Sequence, residues 1–150
     1  AEIEEAILLL LEVEKTVAEG AGAVGLAALL KYREHFAQRR VGLVISGGNI
    51  DLPILASVIQ RGLVRSGRLA RLRLGLRDVP GELAKAAAII GDTGANVVQV
   101  LHQRVFTELP VQATEVQFTL QTRGADHIHA VVSALQRAGY GVSLLETAHL

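Results

Sequence analysis

The sequence predicts an α+β chain in two parts: a mostly helical first part with one buried strand, then a complete small domain of order βαββαβ. Three observations predict it. Between two helical patterns, the short β-branched run Val41–Ile45 ends at Ser46-Gly47-Gly48-Asn49. Alternation of apolar and polar residues appears only beyond Arg68, over Ala70–Leu76 and again over Thr114–Arg123. After each alternating stretch comes an apolar stripe at helical spacing.

In the first part, Ile3, Ala6, Ile7, Leu10, Leu11 and Val13 form a helical stripe within an almost wholly apolar stretch, as in a helix buried inside something large. After Glu19-Gly20-Ala21-Gly22, a second helix is expected from about Ala23 to Gln38, with Leu26, Ala27 and Leu30 on one face. Val41–Ile45 fits a buried parallel strand. Leu52, Leu55, Ala56, Ile59 and Leu63 recur at helical intervals and predict a third helix ending near Arg61-Gly62, with Arg65-Ser66-Gly67-Arg68 as the linker.

In the second part, Ala70, Leu72, Leu74 and Leu76 face a core while Arg71 and Arg73 face outward. Leu83, Ala86, Ala87 and Ile90 make a helix, Asn96–Arg104 a second strand, and Thr114, Val116, Phe118, Leu120 and Thr122 the inward side of a third. Ile128, Val131, Val132 and Leu135 give another helix, Gly139-Tyr140-Gly141 stops it, and Val142–Leu145 returns as the last strand. That order is the ferredoxin-like plan.

The chain has 150 residues, half of them hydrophobic, enough to bury a core in one domain or two small ones. Fifteen basic residues balance fifteen acidic ones, so no net field draws nucleic acid or anionic lipid, and neither is expected as a partner. The longest apolar stretch, Ala21–Leu30, is about ten residues against the roughly twenty of a membrane span, and no basic-then-apolar leader opens the chain. A soluble, cytoplasmic protein without membrane association is the expectation. The lack of cysteine excludes disulfides and thiolate metal sites. An alanine start, with no methionine anywhere, suggests a truncated or processed piece.

Gly20-Ala21-Gly22-Ala23-Val24-Gly25 matches the letters of a dinucleotide fingerprint, but a helix precedes it where that chemistry needs a strand, and no acidic residue follows at the ribose spacing. Its small residues are better read as letting two buried elements approach closely. His127 and His129 are two apart, on different helix faces, and are read as solvated; no metal site is expected. Ser46-Gly47-Gly48-Asn49 carries more information, because the carboxyl end of a strand followed by glycines and a helix is where α/β sheets place ligands.

Glu19-Gly20-Ala21-Gly22-Ala23, a helix, an apolar strand and then Ser46-Gly47-Gly48-Asn49-Ile50-Asp51 together resemble the C-terminal end of the pyridoxal-phosphate threonine and serine dehydratases. The resemblance implies a tryptophan-synthase-β type of fold for residues 1–63, with Ser46 bonded to the pyridine nitrogen of the cofactor, Gly47, Gly48 and Asn49 in the same turn, and Glu19 near it. A neutral hydroxyl there permits an unprotonated ring, a weaker electron sink than a carboxylate would create. The family converts threonine to 2-oxobutanoate and ammonia. Its Schiff-base lysine sits in an early motif that Lys15, Lys31 and Lys85 do not match, and the phosphate-cradling glycine loop is missing as well. The chain alone is therefore expected to bind no pyridoxal phosphate and to have no catalytic residue of its own.

Residues 64–150 resemble, across Arg68–Glu146, the ACT domain, an amino-acid-binding regulatory module whose recurring loop is Asp78-Val79-Pro80-Gly81-Glu82-Leu83 here. Proline suits a helix entrance, and glycine lets a carboxylate approach the amides at the positive end of the helix dipole. The resemblance implies that Asn96, with Val97 beside it at the start of the second strand, meets a small amino-acid effector such as isoleucine or valine from a neighbouring protomer. Asp78 is expected to cap the helix or to take the effector's ammonium. Edge strands joining side by side, with Asn96–Arg104 at the seam, imply a homodimer or tetramer. Two other readings stay open at this stage: an ACT-like module that only oligomerises, and a free-standing amino-acid sensor.

Overall fold

The computed structural model describes residues 1–103 and 113–145, and its contacts divide the chain into two compact units, Ala1–Gly62 and Leu63–Leu150. Arg104 and Glu146, which figure in the expectations above, lie outside the described residues. Among the described residues no helix is long and apolar enough to cross a membrane.

The first unit holds α1 (Glu2–Glu12), α2 (Gly20–Lys31), α3 (Arg33–Phe36) and the greater part of α4 (Leu52–Arg65). Its core is built largely of small side chains: Ala6, Ile7 and Leu10 of α1 meet Ala18, Ala23, Ala27 and Val58. Small residues let backbones approach, and Gly62 of α4 does so against the side chain of Leu8, which a Cβ at 62 would strike. Lys31 to Glu2 and Arg61 to Glu4, each at 3.1 Å, tie the rim, and exposed pairs of this kind contribute little to stability.

Three expectations for this unit are corrected. The second helix starts at Gly20 rather than Ala23 and breaks at Tyr32 (φ −114°, ψ 40°), and the following turn, α3, buries no residue against a core. The helix predicted to stop at Arg61-Gly62 continues to Arg65 and closes in a Schellman motif, with Arg68 N–H donating to Leu63 O (2.8 Å) and Gly67 N–H to Val64 O (3.0 Å). Gly67, at φ 66°, is its left-handed residue. Val41–Ile45 is not a strand: the unit contains no second strand to take its N–H and C=O groups, and Val44 is 87% exposed.

The second unit runs β1 (Leu69–Arg77), α5 (Glu82–Asp92), β2 (Asn96–Gln103), β3 (Ala113–Gln121), α6 (Ala125–Arg137) and β4 (Gly141–Leu144). Its sheet has the order β2-β3-β1-β4, antiparallel throughout, which is the expected βαββαβ plan. Leu72, Leu74 and Leu76 of β1 and Val116, Phe118 and Leu120 of β3 form one face, covered by Ala86 and Ile90 of α5 and Val131 and Leu135 of α6. The other face is polar, with Arg73 Nε 2.8 Å from Glu115 Oε1. β2 is an edge strand, and a register shift between Val97 and Gln99 marks a bulge near its start.

The solvated reading of the histidine pair holds for His129 but not for His127, which is buried. His127 lies one turn before Val131 and two before Leu135, on the stripe that meets the sheet. Phe118 is the largest fully buried side chain of the chain's described part. Replacing it with alanine is expected to cost about 3–5 kcal/mol, read as a lower denaturant midpoint by circular dichroism of the full chain.

Candidate functional site

In the first unit the structure brings together the two motifs that the sequence separates by more than twenty residues. Glu19, extended at φ −78° and ψ 170°, is the N-cap of α2; its N–H donates to Gly47 O at 3.1 Å and its carbonyl accepts from Ala23 N–H at 3.0 Å. A Cβ on Gly22 would stand 2.5 Å from Gly47 O, and one on Gly48 would stand 2.7 Å from Val17 O. The Glu19 carboxylate occupies the space that a side chain at Gly47 would take. Glycine at 22 and 48, where the neighbour is backbone, is thus a condition of the close approach around the turn. Ser46 and Asn49 are exposed beside the junction, and Ile50 N–H donates to Gly48 O at 3.0 Å.

The three lysines are bonded elsewhere. Lys15 Nζ donates to Glu12 O (2.6 Å), Lys31 Nζ to Glu2 (3.1 Å), and Lys85 Nζ to Glu82 (3.2 Å).

In the second unit Asp78, Val79, Pro80 and Gly81 form an exposed loop between β1 and α5. Gly81, at φ 89°, is the N-cap residue of α5, a conformation that turns the chain into the helix without a side chain. Glu82 N–H donates to Val79 O (3.3 Å) and Lys85 N–H to Gly81 O (3.0 Å). Leu83 packs on the core behind the loop.

Sequence reading missed the role of Glu82. Only 5% exposed, its carboxylate is shared by Arg77 (3.4 Å) at the end of β1 and Lys85 (3.2 Å) on α5, so an ion pair closes the base of the loop. The signal was present as a Glu–Lys pair three apart with an arginine five residues earlier. Lys85 first and Arg77 next hold the Glu82 carboxyl below its ordinary value of 4.5, against the opposing effect of burial.

Asn96 and Val97 are not near that loop. Leu69 pairs with Gln121 and Gln121 with Asn96, whereas the loop follows Arg77, eight residues along β1. At strand rise the two ends lie about 27 Å apart. Asn96 is exposed and Val97 half-buried against the core.

Two curated relatives match nearly the whole chain: an L-threonine ammonia-lyase of Geobacter sulfurreducens, 46% identical over 97% of the chain, and one of Thermotoga maritima, 40% identical over 96%. The chain is similar to a C-terminal portion of these L-threonine ammonia-lyases. It spans 36% of the length of each of these relatives. No family model matches it. Among solved structures it is similar to the regulatory subunit of aspartate kinase from Thermus thermophilus (22% identity, TM-score 0.42, covering 52% of this chain and 50% of that one). A prephenate dehydratase from Streptococcus mutans is also similar (20% identity, TM-score 0.40, covering 51% and 40%).

Two outcomes follow from this geometry. Alanine for a helical glycine ordinarily stabilises by about 1 kcal/mol, but Gly22→Ala is expected to destabilise by about 1–3 kcal/mol, seen in thermal unfolding of the full chain, because the new methyl meets a backbone oxygen. The Glu82 carboxyl titrates lower in the folded chain, so its stabilisation is complete above its ordinary value of 4.5 and is lost as pH falls through the lower folded value. Urea midpoints measured from pH 7 downward should therefore fall further below pH 4.5 for the native chain than for Glu82→Gln.

Proposed function

We propose that the chain is the regulatory C-terminal portion of a cytoplasmic threonine dehydratase, whose intact form converts threonine to 2-oxobutanoate and ammonia. Residues 1–63 are the end of the pyridoxal-phosphate domain, and residues 64–150 are an ACT domain that senses an amino acid such as isoleucine or valine. One observation carries the sensing role: the Asp78–Leu83 loop and Asn96 lie at opposite ends of one sheet. A single copy cannot close them on one ligand. A second copy added antiparallel along the edge of β2 brings its own Asn96 to the same end of the joined sheet as the loop of the first. The edge suits such an addition, since Val98, Val100 and Leu101 of β2 are exposed.

In that arrangement the first amides of α5 receive the effector carboxylate, Asp78 its ammonium, and the partner's Asn96 its remaining polar edge. Sensing then shifts the catalytic domain by a coupling of typically about 1–3 kcal/mol. At the other end of the chain, the exposed Ser46 fits the pyridine edge of pyridoxal phosphate as a neutral hydroxyl, with Glu19 and Gly47 fixing the turn's position. When bound, the cofactor supplies the electron sink for elimination. With each amine engaged elsewhere, this portion alone is expected to hold no cofactor.

Calorimetric titration of the full chain with isoleucine, valine, serine and threonine tests the reading. Heat is expected with isoleucine or valine, weakened at least about tenfold by Asn96→Ala. An absence of heat with all four would leave the domain as an oligomerisation module.

A further inference from the structure

The corner of the sheet where β2 begins is spanned by one buried side chain that the proposed site does not use. His127, 7% exposed, accepts the backbone N–H of Arg123 at its Nδ1 (3.1 Å), and its Nε2 stands 2.9 Å from the carbonyl oxygen of Thr93. A ring nitrogen that accepts carries no proton, so the ring is the neutral Nε2–H tautomer and donates to Thr93. Thr93 closes α5 three residues before Asn96, and Arg123 follows Gln121, the residue with which Asn96 is paired. Thr93, Asn96, Gln121 and Arg123 therefore mark a closed circuit, and His127 bonds across it.

The surroundings hold Thr93 as well. Its hydroxyl and its amide both donate to Ile90 O, at 2.6 and 3.1 Å, bonds that fix Thr93 to the last turn of α5. Gly94 follows at φ 81°, with the Arg123 guanidinium 3.0 Å from the place of a Cβ. The turn that delivers Asn96 is thus held from α5 by hydrogen bonds and from α6 by His127, with the Arg123 side chain lying close to Gly94.

We infer that His127 is the positioning residue of the Asn96 arm: through its bond to Thr93 it sets where β2 starts and where Asn96 is offered to an effector on the neighbouring copy. The use made of Asn96 rests on the effector-binding reading above. The brace itself does not.

Two amide variants separate the two bonds. His127→Gln reaches as far as Nε2 and can keep the donor to Thr93, whereas His127→Asn reaches only as far as Nδ1 and can keep the acceptor for Arg123. Amide exchange of the ligand-free full chain by NMR should be about tenfold faster from Ala95 to Val97 in His127→Asn and near the native rate there in His127→Gln. Affinity for isoleucine and valine should fall in the same order, with His127→Gln rescued. Equal acceleration in both variants, or acceleration spread evenly over the domain, would overturn the brace. If exchange behaves as expected while the native chain gives no heat with either amino acid, the brace stands and the effector reading is the one that fails.

Discussion

The register of the antiparallel sheet is the constraint on which the functional geometry depends. Nine consecutive pairs between β1 and β3, continued by β3 with β2, fix Leu69, Gln121 and Asn96 at one end and Arg77 with the following loop at the other. A one-residue slip would turn Phe118, Leu72 and Leu74 out of the core, so the register is strongly specified by burial. The separation of the loop from Asn96 is therefore as rigid as the core, and any site that uses both must be completed by another chain.

Around that frame each end is secured by its own polar device. At the loop end, Glu82 draws Arg77 and Lys85 together across the base of an exposed turn, so the segment that meets solvent is short and anchored on both sides. At the opposite end, His127 joins three segments with its two ring nitrogens. In the first unit the equivalent task falls to glycines: Gly22 and Gly48 allow close backbone approach, to Gly47 O and Val17 O respectively, and Gly47 leaves room for the Glu19 carboxylate. Packing by absence is sensitive to a single added methyl, unlike packing by flexible side chains.

The second unit was legible almost residue by residue, because Ala70–Leu76 and Thr114–Thr122 alternate with period two and both helix stripes keep their spacing. The first unit was less so. Val41–Ile45 has strand composition, but a strand exists only where a neighbour accepts its hydrogen bonds, a property that no local pattern encodes. Gly62 looked like a helix stop because glycine at a helix end is common, whereas its true meaning, contact with Leu8, is tertiary. The burial of His127 could have been read from its place four residues before Val131. The candidate loop and Asn96 were visible as motifs, yet only the sheet order showed them to be at opposite ends.

Subunit complementation tests the shared site most directly. Asp78→Ala and Asn96→Ala chains, each titrated with isoleucine and valine, should both bind at least about tenfold more weakly than the native chain, while a one-to-one mixture allowed to exchange subunits should recover native affinity at about a quarter of the native number of sites, because half the dimers are mixed and each has one intact site. Native binding by either variant alone, or no recovery on mixing, would contradict a site built across two copies.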